Sequence, residues 1–308
     1  MRNDGIRDLN ITGMWSCAQW GDTLLGLRAD QTSIAVGDSA RIWMRFTPEH
    51  IVYYRLPVVV ATDGPDGFVA LQFGAQGRWS QSYYSSTENK SWAQLKSALT
   101  TKLNQGTTNL GYNGARDQMY GNLDNVNGQV TCIYTGRVAT FNTRAGATAN
   151  NMNCEHTFPQ SFFSSAEPMK SDIHHLFPCD ESANTQRSNN PFGIITGTPA
   201  WSVGGSKRLS GVFEPRDAHK GDAARAMMYF VTRFGDYSSF YAQQAAVLEA
   251  WHQQFPPDSA DRARNQGIAA LQNTRNPYVD YPQIMERLIS LAGSPQPNLA
   301  AQHCASED

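Results

Sequence analysis

Near residue 85 the hydrophobic rhythm of the chain changes, from a period of two to the period of a helix. Before that point, Thr32–Val36 leads through the turn signal Gly37-Asp38 into Arg41-Ile42-Trp43-Met44-Arg45-Phe46, which alternates. Ile51 to Ala61 and Gly67 to Phe73 read as two further strands, separated by Asp63-Gly64-Pro65-Asp66-Gly67. Residues 1–80 are therefore expected to form a small, β-rich, sandwich-like module. They carry no chemical motif, so structural support is the first expectation for them, ahead of contact with a substrate or partner. Beyond residue 85, Ser91 and Gln94 have the form of a capping box, and Trp92, Leu95, Leu99 and Leu103 fall on one helical face. Residues 104–150 are rich in Gly, Asn and Thr and hold one clear strand, Val130–Tyr134. After residue 219 helices dominate. Ala223, Ala226, Met227, Phe230, Val231 and Phe234 make a core stripe, and helices are expected over Ser238–Gln254 and Asp258–Gln272. The reading is an α+β chain in which residues 81–292 form a second domain with a helical C-terminal half and 293–308 form a frayed tail.

With 17% charged, 40% apolar and 11% aromatic residues, the 308-residue chain does not have the profile of a disordered one. Its best apolar run, Leu56–Ala61, falls far short of the ~20 residues that cross a membrane. Met1-Arg2-Asn3-Asp4-Gly5 has no apolar stretch, so no secretion signal is expected in the chain as it stands. A net charge of −2 argues against holding polyanions by bulk charge. Residues 130–235 nevertheless carry ten Lys/Arg against eight Asp/Glu, so a polyanion partner requires basic side chains focused locally. The five cysteines, Cys17, Cys132, Cys154, Cys179 and Cys304, contain no CxxC pair, which argues against a four-thiolate zinc site. Four of them suffice for two disulfides and the odd count opposes that reading, so disulfide pairing stays open.

Three of the seven histidines, His156, His174 and His175, lie within twenty residues, beside Glu155, Asp172 and Asn184. A single such histidine is most often structural. Clustering with acids, an amide and Arg187 favours a metal-assisted hydrolytic site. One carboxylate with one amide oxygen suits Mg²⁺ that keeps several waters, whereas zinc would want three or four His, Cys or carboxylate ligands. A short helix is expected over Asp180–Ser188 with Asp180 as its N-cap; on it Asn184, Arg187 and Ser188 share a face. Adjacent Glu155 and His156 point opposite ways on an ideal strand, so both reach one phosphate only if the strand ends there. His50, His219, His252 and His303 and the seven tryptophans are expected to be structural.

These stretches resemble a known family. The pieces are Asn153-Cys154-Glu155-His156-Thr157-Phe158-Pro159, Asp172-Ile173-His174-His175-Leu176-Phe177-Pro178 and Asn184-Thr185-Gln186-Arg187-Ser188-Asn189. Tyr134-Thr135-Gly136-Arg137, Phe213-Glu214-Pro215-Arg216-Asp217 with Lys220 to Ala226, and Arg275-Asn276-Pro277-Tyr278 follow the same order. Over about residues 85–290 the chain is similar to the bacterial endonuclease I and extracellular nuclease family of the ββα-metal (His-Me finger) superfamily. The resemblance implies His156 as general base, Glu155 and Asn184 as Mg²⁺ ligands (Ca²⁺ or Mn²⁺ in its place), and Arg187 as a phosphate contact. It implies that Asp172 and His174 support the site, with His175 an extra, and that a Cys154–Cys179 bridge would be local to this chain.

The function implied is sequence-nonspecific, metal-dependent cleavage of DNA, and of RNA as well, leaving 5′-phosphates. The setting implied is extracellular or periplasmic, and the partner a nucleic acid with no membrane; the sequence leaves the oligomeric state open, a monomer being the first expectation. Arg137, Lys220 and Arg225 are substrate-binding candidates, although Asp222 and Arg225 equally suit a helix-stabilising pair. Lys207-Arg208 beside Gly204-Gly205 suggests either a mobile phosphate-contacting loop or a solvated one. A nuclease restricted to RNA and a non-catalytic nucleic-acid-binding protein are the alternatives.

Overall fold

The computed structural model describes residues 1–16, 25–47, 53–78, 82–288 and 291. The chain divides into a unit of Met1–Lys90 and a unit that begins at Ser91 and runs to Gln296. Cys17, Cys304, the expected strand start at Ile51 and the expected tail lie outside the described residues.

Alternating apolar residues build the first unit. β1 (Leu9–Ser16), β3 (Ser33–Ile34), β5 (Tyr53–Thr62) and β6 (Phe68–Gln76) form an antiparallel sheet in the order β3-β1-β5-β6, and β2 (Leu25–Ala29) pairs with β4 (Ile42–Phe46). Tyr54, Val58 and Val60 on one face of β5 meet Ile11, Leu25 and Ile34 in a small core. The run Thr32–Val36 yields only a two-residue strand.

The second unit mixes helix and sheet. It opens with α1 (Trp92–Asn104), whose Leu95, Leu99 and Leu103 are buried. Its Ser91 side chain makes no capping bond, and Trp92 enters with φ +54, so the expected capping box does not form. α2 (Gly111–Gln118) and the short antiparallel strands β7 (Asn125–Val126), β8 (Gln129–Thr131) and β9 (Val138–Thr140) follow. The strand expected to reach Tyr134 stops at Thr131. The backbone there folds into a tight turn closed by Cys132 N–H to Arg137 O and Gly136 N–H to Cys132 O. α3 (Arg144–Ala149) leads into β10 (Met152–His156), which pairs with β11 (Leu176–Asp180), and β11 runs directly into α4 (Glu181–Arg187).

The meander β12 (Trp201–Val203), β13 (Ser206–Leu209) and β14 (Val212–Glu214) precedes α5 (Asp217–Phe234), the long helix around which the unit packs. Its Phe230 stacks on Phe158 at 4.1 Å. The helix expected from Ser238 starts only at Ala245, as α6 (Ala245–Gln254). Asp236 takes the amides of Tyr241 and Ala242, and Ser238 and Ser239 have positive φ, so the chain turns before a helix can propagate. α7 (Ser259–Gln272) does carry a capping box, between Asp258 and Asp261, and α8 (Pro277–Asp280) follows. No helix among the described residues is long and apolar enough to cross a membrane.

Candidate functional site

The register of the two strands fixes the starting geometry. Asn153 pairs with Cys179, Glu155 with Phe177 and His156 with Leu176, and β10 ends at His156. Asn153 and Glu155 therefore share one face of β10, and Cys154 and His156 share the other. α4 lies along the first face. Asn184 Nδ2 donates to Asn153 Oδ1 at 2.8 Å and to Cys154 O at 3.4 Å, and Arg187 Nε sits 3.0 Å from Glu155 Oε1. One helical turn thus sets an amide and a guanidinium against successive positions of the strand.

Glu155 is almost wholly buried. Its Oε1 accepts the Tyr134 hydroxyl at 2.7 Å. Burial pushes its carboxyl up to about 7, against the opposing pull of Arg187 and of the Tyr134 hydroxyl. Among the described residues no side chain bonds Oε2 or Asn184 Oδ1, although the His156 N–H also favours the Glu155 carboxylate, and neither oxygen is among the sealed, unpartnered atoms. A carboxylate oxygen and an amide oxygen are therefore held by their opposite atoms and left open, a donor set that suits a hard divalent cation. Among the described residues no three His, Cys, Asp or Glu side chains gather into a metal cluster.

His156 Nε2 donates to Lys170 O at 3.0 Å when the ring carries its proton there, leaving Nδ1 as the basic nitrogen. Among the described residues Nδ1 has no hydrogen-bond partner, and it is not sealed from solvent. Burial, then the neighbouring His175 and the charges of Lys170 and Arg116, hold the imidazole down to about 3, so it is neutral at pH 7. His175, rather than His174, backs the ring, edge-on at 5.4 Å, and its own Nε2 donates to Met169 O.

Asp172 and His174 lie behind this layer. Asp172 accepts His174 N–H, the Tyr229 hydroxyl and Arg233 Nη1, and His174 Nε2 reaches Thr274 O at 3.1 Å. Burial would raise the Asp172 carboxyl, but Arg233 and the two imidazoles bring it below its ordinary value.

The cations nominated from sequence are turned elsewhere. Arg187 is fully buried, donating to Thr157 O and Ser188 O, with its guanidinium over the Phe192 ring at 4.7 Å. It braces Glu155 and presents no free face for a phosphate. Arg225 is buried between Asp222 and Asp261, Lys220 is paired with Glu214 and Asp217, and Arg137 binds Asp180. Asp180 stands at the N-cap position of α4, yet its side chain goes to Arg137 and Thr135 instead of capping the helix. The four groups Arg137, Asp180, Thr185 and Trp201 border an open hollow of about 1010 Å³.

Lys207 and Arg208 lie on β13, paired with Glu214 and bonded to Gln186, so they belong to a built hairpin rather than a mobile loop. That hairpin presses on the turn that carries Tyr134. Gly204 has φ +61, and a Cβ there would fall 1.9 Å from Thr135 O, while Ser206 Oγ donates to Tyr134 O.

Cys132, Cys154 and Cys179 are buried free thiols. Cys154 and Cys179 are diagonal neighbours on paired strands and point to opposite faces of the ribbon, so the bridge suggested between them is geometrically excluded.

Sequence reasoning missed the roles of Tyr134, Asn153, Lys170 and His175 in this arrangement. Asn153 and Tyr134 stand inside the motifs, but only the register and the turn at Cys132–Arg137 reveal what they hold.

A sequence-family model described as Endonuclease I matches residues 91–283. The extracellular ribonuclease of Bacillus amyloliquefaciens is 30% identical over 227 residues, covering 66% of this chain and 76% of the relative. That of Bacillus subtilis (strain 168) is 31% identical over 222 residues, covering 65% and 76%. An extracellular deoxyribonuclease of Aeromonas hydrophila is 33% identical over 117 residues, covering 36% and 50%.

Proposed function

The chain belongs to the endonuclease I family and is an endonuclease, and from that premise we propose that it is a divalent-metal-dependent, sequence-nonspecific enzyme that hydrolyses phosphodiester bonds at the open end of β10. The observation that carries the reading is the pair of open oxygens, Glu155 Oε2 and Asn184 Oδ1, with the open Nδ1 of His156 on the next residue, where β10 ends. The order β10, β11, α4 supports the ββα-metal assignment. His156 acts as general base: its neutral Nδ1 takes a proton from the water that attacks phosphorus, while Lys170 O retains the Nε2 proton and fixes the tautomer. Mg²⁺, held by Glu155 and Asn184 when bound, supplies positive charge to the phosphate and the departing 3′ oxygen. Arg187 and Tyr134 keep the Glu155 carboxylate aimed, and Asn153 keeps the Asn184 amide aimed. The departing 3′ oxygen takes its proton from solvent water, so the products carry 5′-phosphate and 3′-hydroxyl ends. A fixed imidazole base needs no ribose 2′-hydroxyl, so DNA and RNA are both substrates of this chemistry. Like relatives named as extracellular or periplasmic nucleases, the chain would act outside the cytoplasm.

Restriction to RNA is the second reading, favoured because the relatives that match two thirds of this chain are named ribonucleases. Digestion of single- and double-stranded DNA and of RNA, with Mg²⁺, Ca²⁺, Mn²⁺ or a chelator, separates the two. His156→Ala is expected to lower cleavage by about 10²–10⁴-fold with the fold intact. Cleavage that survives the chelator, or that survives the loss of this imidazole, refutes the mechanism.

A further inference from the structure

Most nominated cations of the nuclease unit are spent on internal acids, so the groups that grip the substrate must be sought elsewhere. The strand face that carries His156 supplies them. Tyr112, on α2, turns its hydroxyl toward the Cys154 thiol and stands its ring 5.4 Å from that of His156. Two cations crowd onto this ring: Arg116, one turn further along α2, with its guanidinium carbon 4.2 Å from the ring centroid, and Lys170, with its Nζ at 5.0 Å. Among the described residues neither has an ion pair with an acid, and the side-chain hydrogen bond that Arg116 makes goes to Asn113. Both are half-buried and so reachable from solvent.

Lys170 acts twice at this point of the fold, because its carbonyl oxygen is the partner of His156 Nε2 while its ammonium group lies over Tyr112. Two like charges gathered at one ring without a counter-charge repel one another, and the ring quadrupole offsets only part of that. An anion that comes within reach of the two offsets the repulsion. The nearest chemistry is that of the general base, where a phosphodiester has to come.

We propose that Arg116 and Lys170, gathered by Tyr112, form the cradle that binds the nucleic-acid backbone on the general-base side of the scissile phosphate. The inference rests on the nuclease reading above and adds to it the substrate-binding groups, which replace Arg187, Lys220 and Arg225 in that role. The cradle holds phosphate by charge and makes no contact that would read a base, in keeping with cleavage at any sequence.

The test compares Lys170→Gln and Arg116→Gln with the charge-conserving Lys170→Arg and Arg116→Lys in the full chain. Binding of a fluorescein-labelled single-stranded oligodeoxynucleotide is followed by anisotropy in chelator, between about 50 and 200 mM salt. Each Gln variant should lower the slope of log affinity against log salt by about 0.7, the value of one phosphate contact on a single strand. It should raise KM about tenfold while kcat falls by less, and the basic replacements should restore both. A slope and KM that stay at the wild-type value in the Gln variants overturn the cradle. So does an equal loss in the basic replacements, since packing at Tyr112 would then matter and charge would not. Wild-type protein that binds with the expected salt slope but cleaves no nucleic acid with any metal would instead sink the nuclease reading and leave the cradle standing.

Discussion

Asn184 can present an oxygen outward only because Asn153 takes its amide nitrogen, and the same division holds at Glu155, where Tyr134 and Arg187 occupy one oxygen. On the proposed mechanism neither Asn153 nor Tyr134 needs to touch substrate, and both act as positioning residues. Asn153→Ala is expected to raise the Mg²⁺ concentration for half-maximal cleavage about 10–100-fold, as losses of outer partners of metal ligands do, with a smaller change in maximal rate. A Mg²⁺ titration of initial rates measures it. Asp172 makes a prediction of the opposite kind, on stability and pH. Its carboxyl is held below its ordinary value of 3.8 in the folded chain. Its contribution is therefore complete above the unfolded value and is lost as pH falls through the folded one. Asp172→Asn, which leaves the buried Arg233 unpaired, should cost about 3–5 kcal/mol near neutral pH. Melting curves of the two proteins should converge as pH drops below about 4.

At the level of elements, the sequence discloses what local pattern controls. The β10 and β11 motifs, the helix with Asn184, the α5 stripe and the Leu95–Leu99–Leu103 face follow from short-range periodicity and residue identity. What stays hidden depends on the meeting of segments far apart in the chain. Nothing near Arg187 in sequence says that it turns inward to Thr157 and Glu155, and nothing near Tyr112 says that Lys170 will lie over it. The start of α6 and the cap of α1 stay hidden for a similar reason: Asp236 claims two backbone amides and delays α6, and Ser91 stands at the N-cap of α1 without a side-chain bond to its amides.

The hairpin β12–β13 illustrates how such contacts transmit an effect. Gly204 is pressed against Thr135, next to the tyrosine that holds Glu155. Gly204→Ala should shift the turn at Cys132–Arg137, cost about 1–3 kcal/mol, and lower cleavage although no reacting group has changed. Denaturant unfolding and initial rates, measured together, test both halves of that statement.

Across the whole molecule, the family match begins at residue 91, where the second compact unit also begins. Every side chain assigned to the chemistry lies in that unit. A chain restricted to residues 91–296 is therefore expected to fold and to cleave at a rate within about threefold of the full chain, with circular dichroism and digestion as the measurements. The first unit, a small sheet with its own core, would then be dispensable for hydrolysis. The three thiols within Ser91–Gln296 are all unlinked, and the two on the paired strands face apart. No covalent staple fastens the hairpin; its hydrogen-bond ladder and the inward-turned arginine hold it instead. The Cys132 and Cys179 thiols do meet, so in this fold a pair of reduced sulfurs joins the turn that carries Tyr134 to β11.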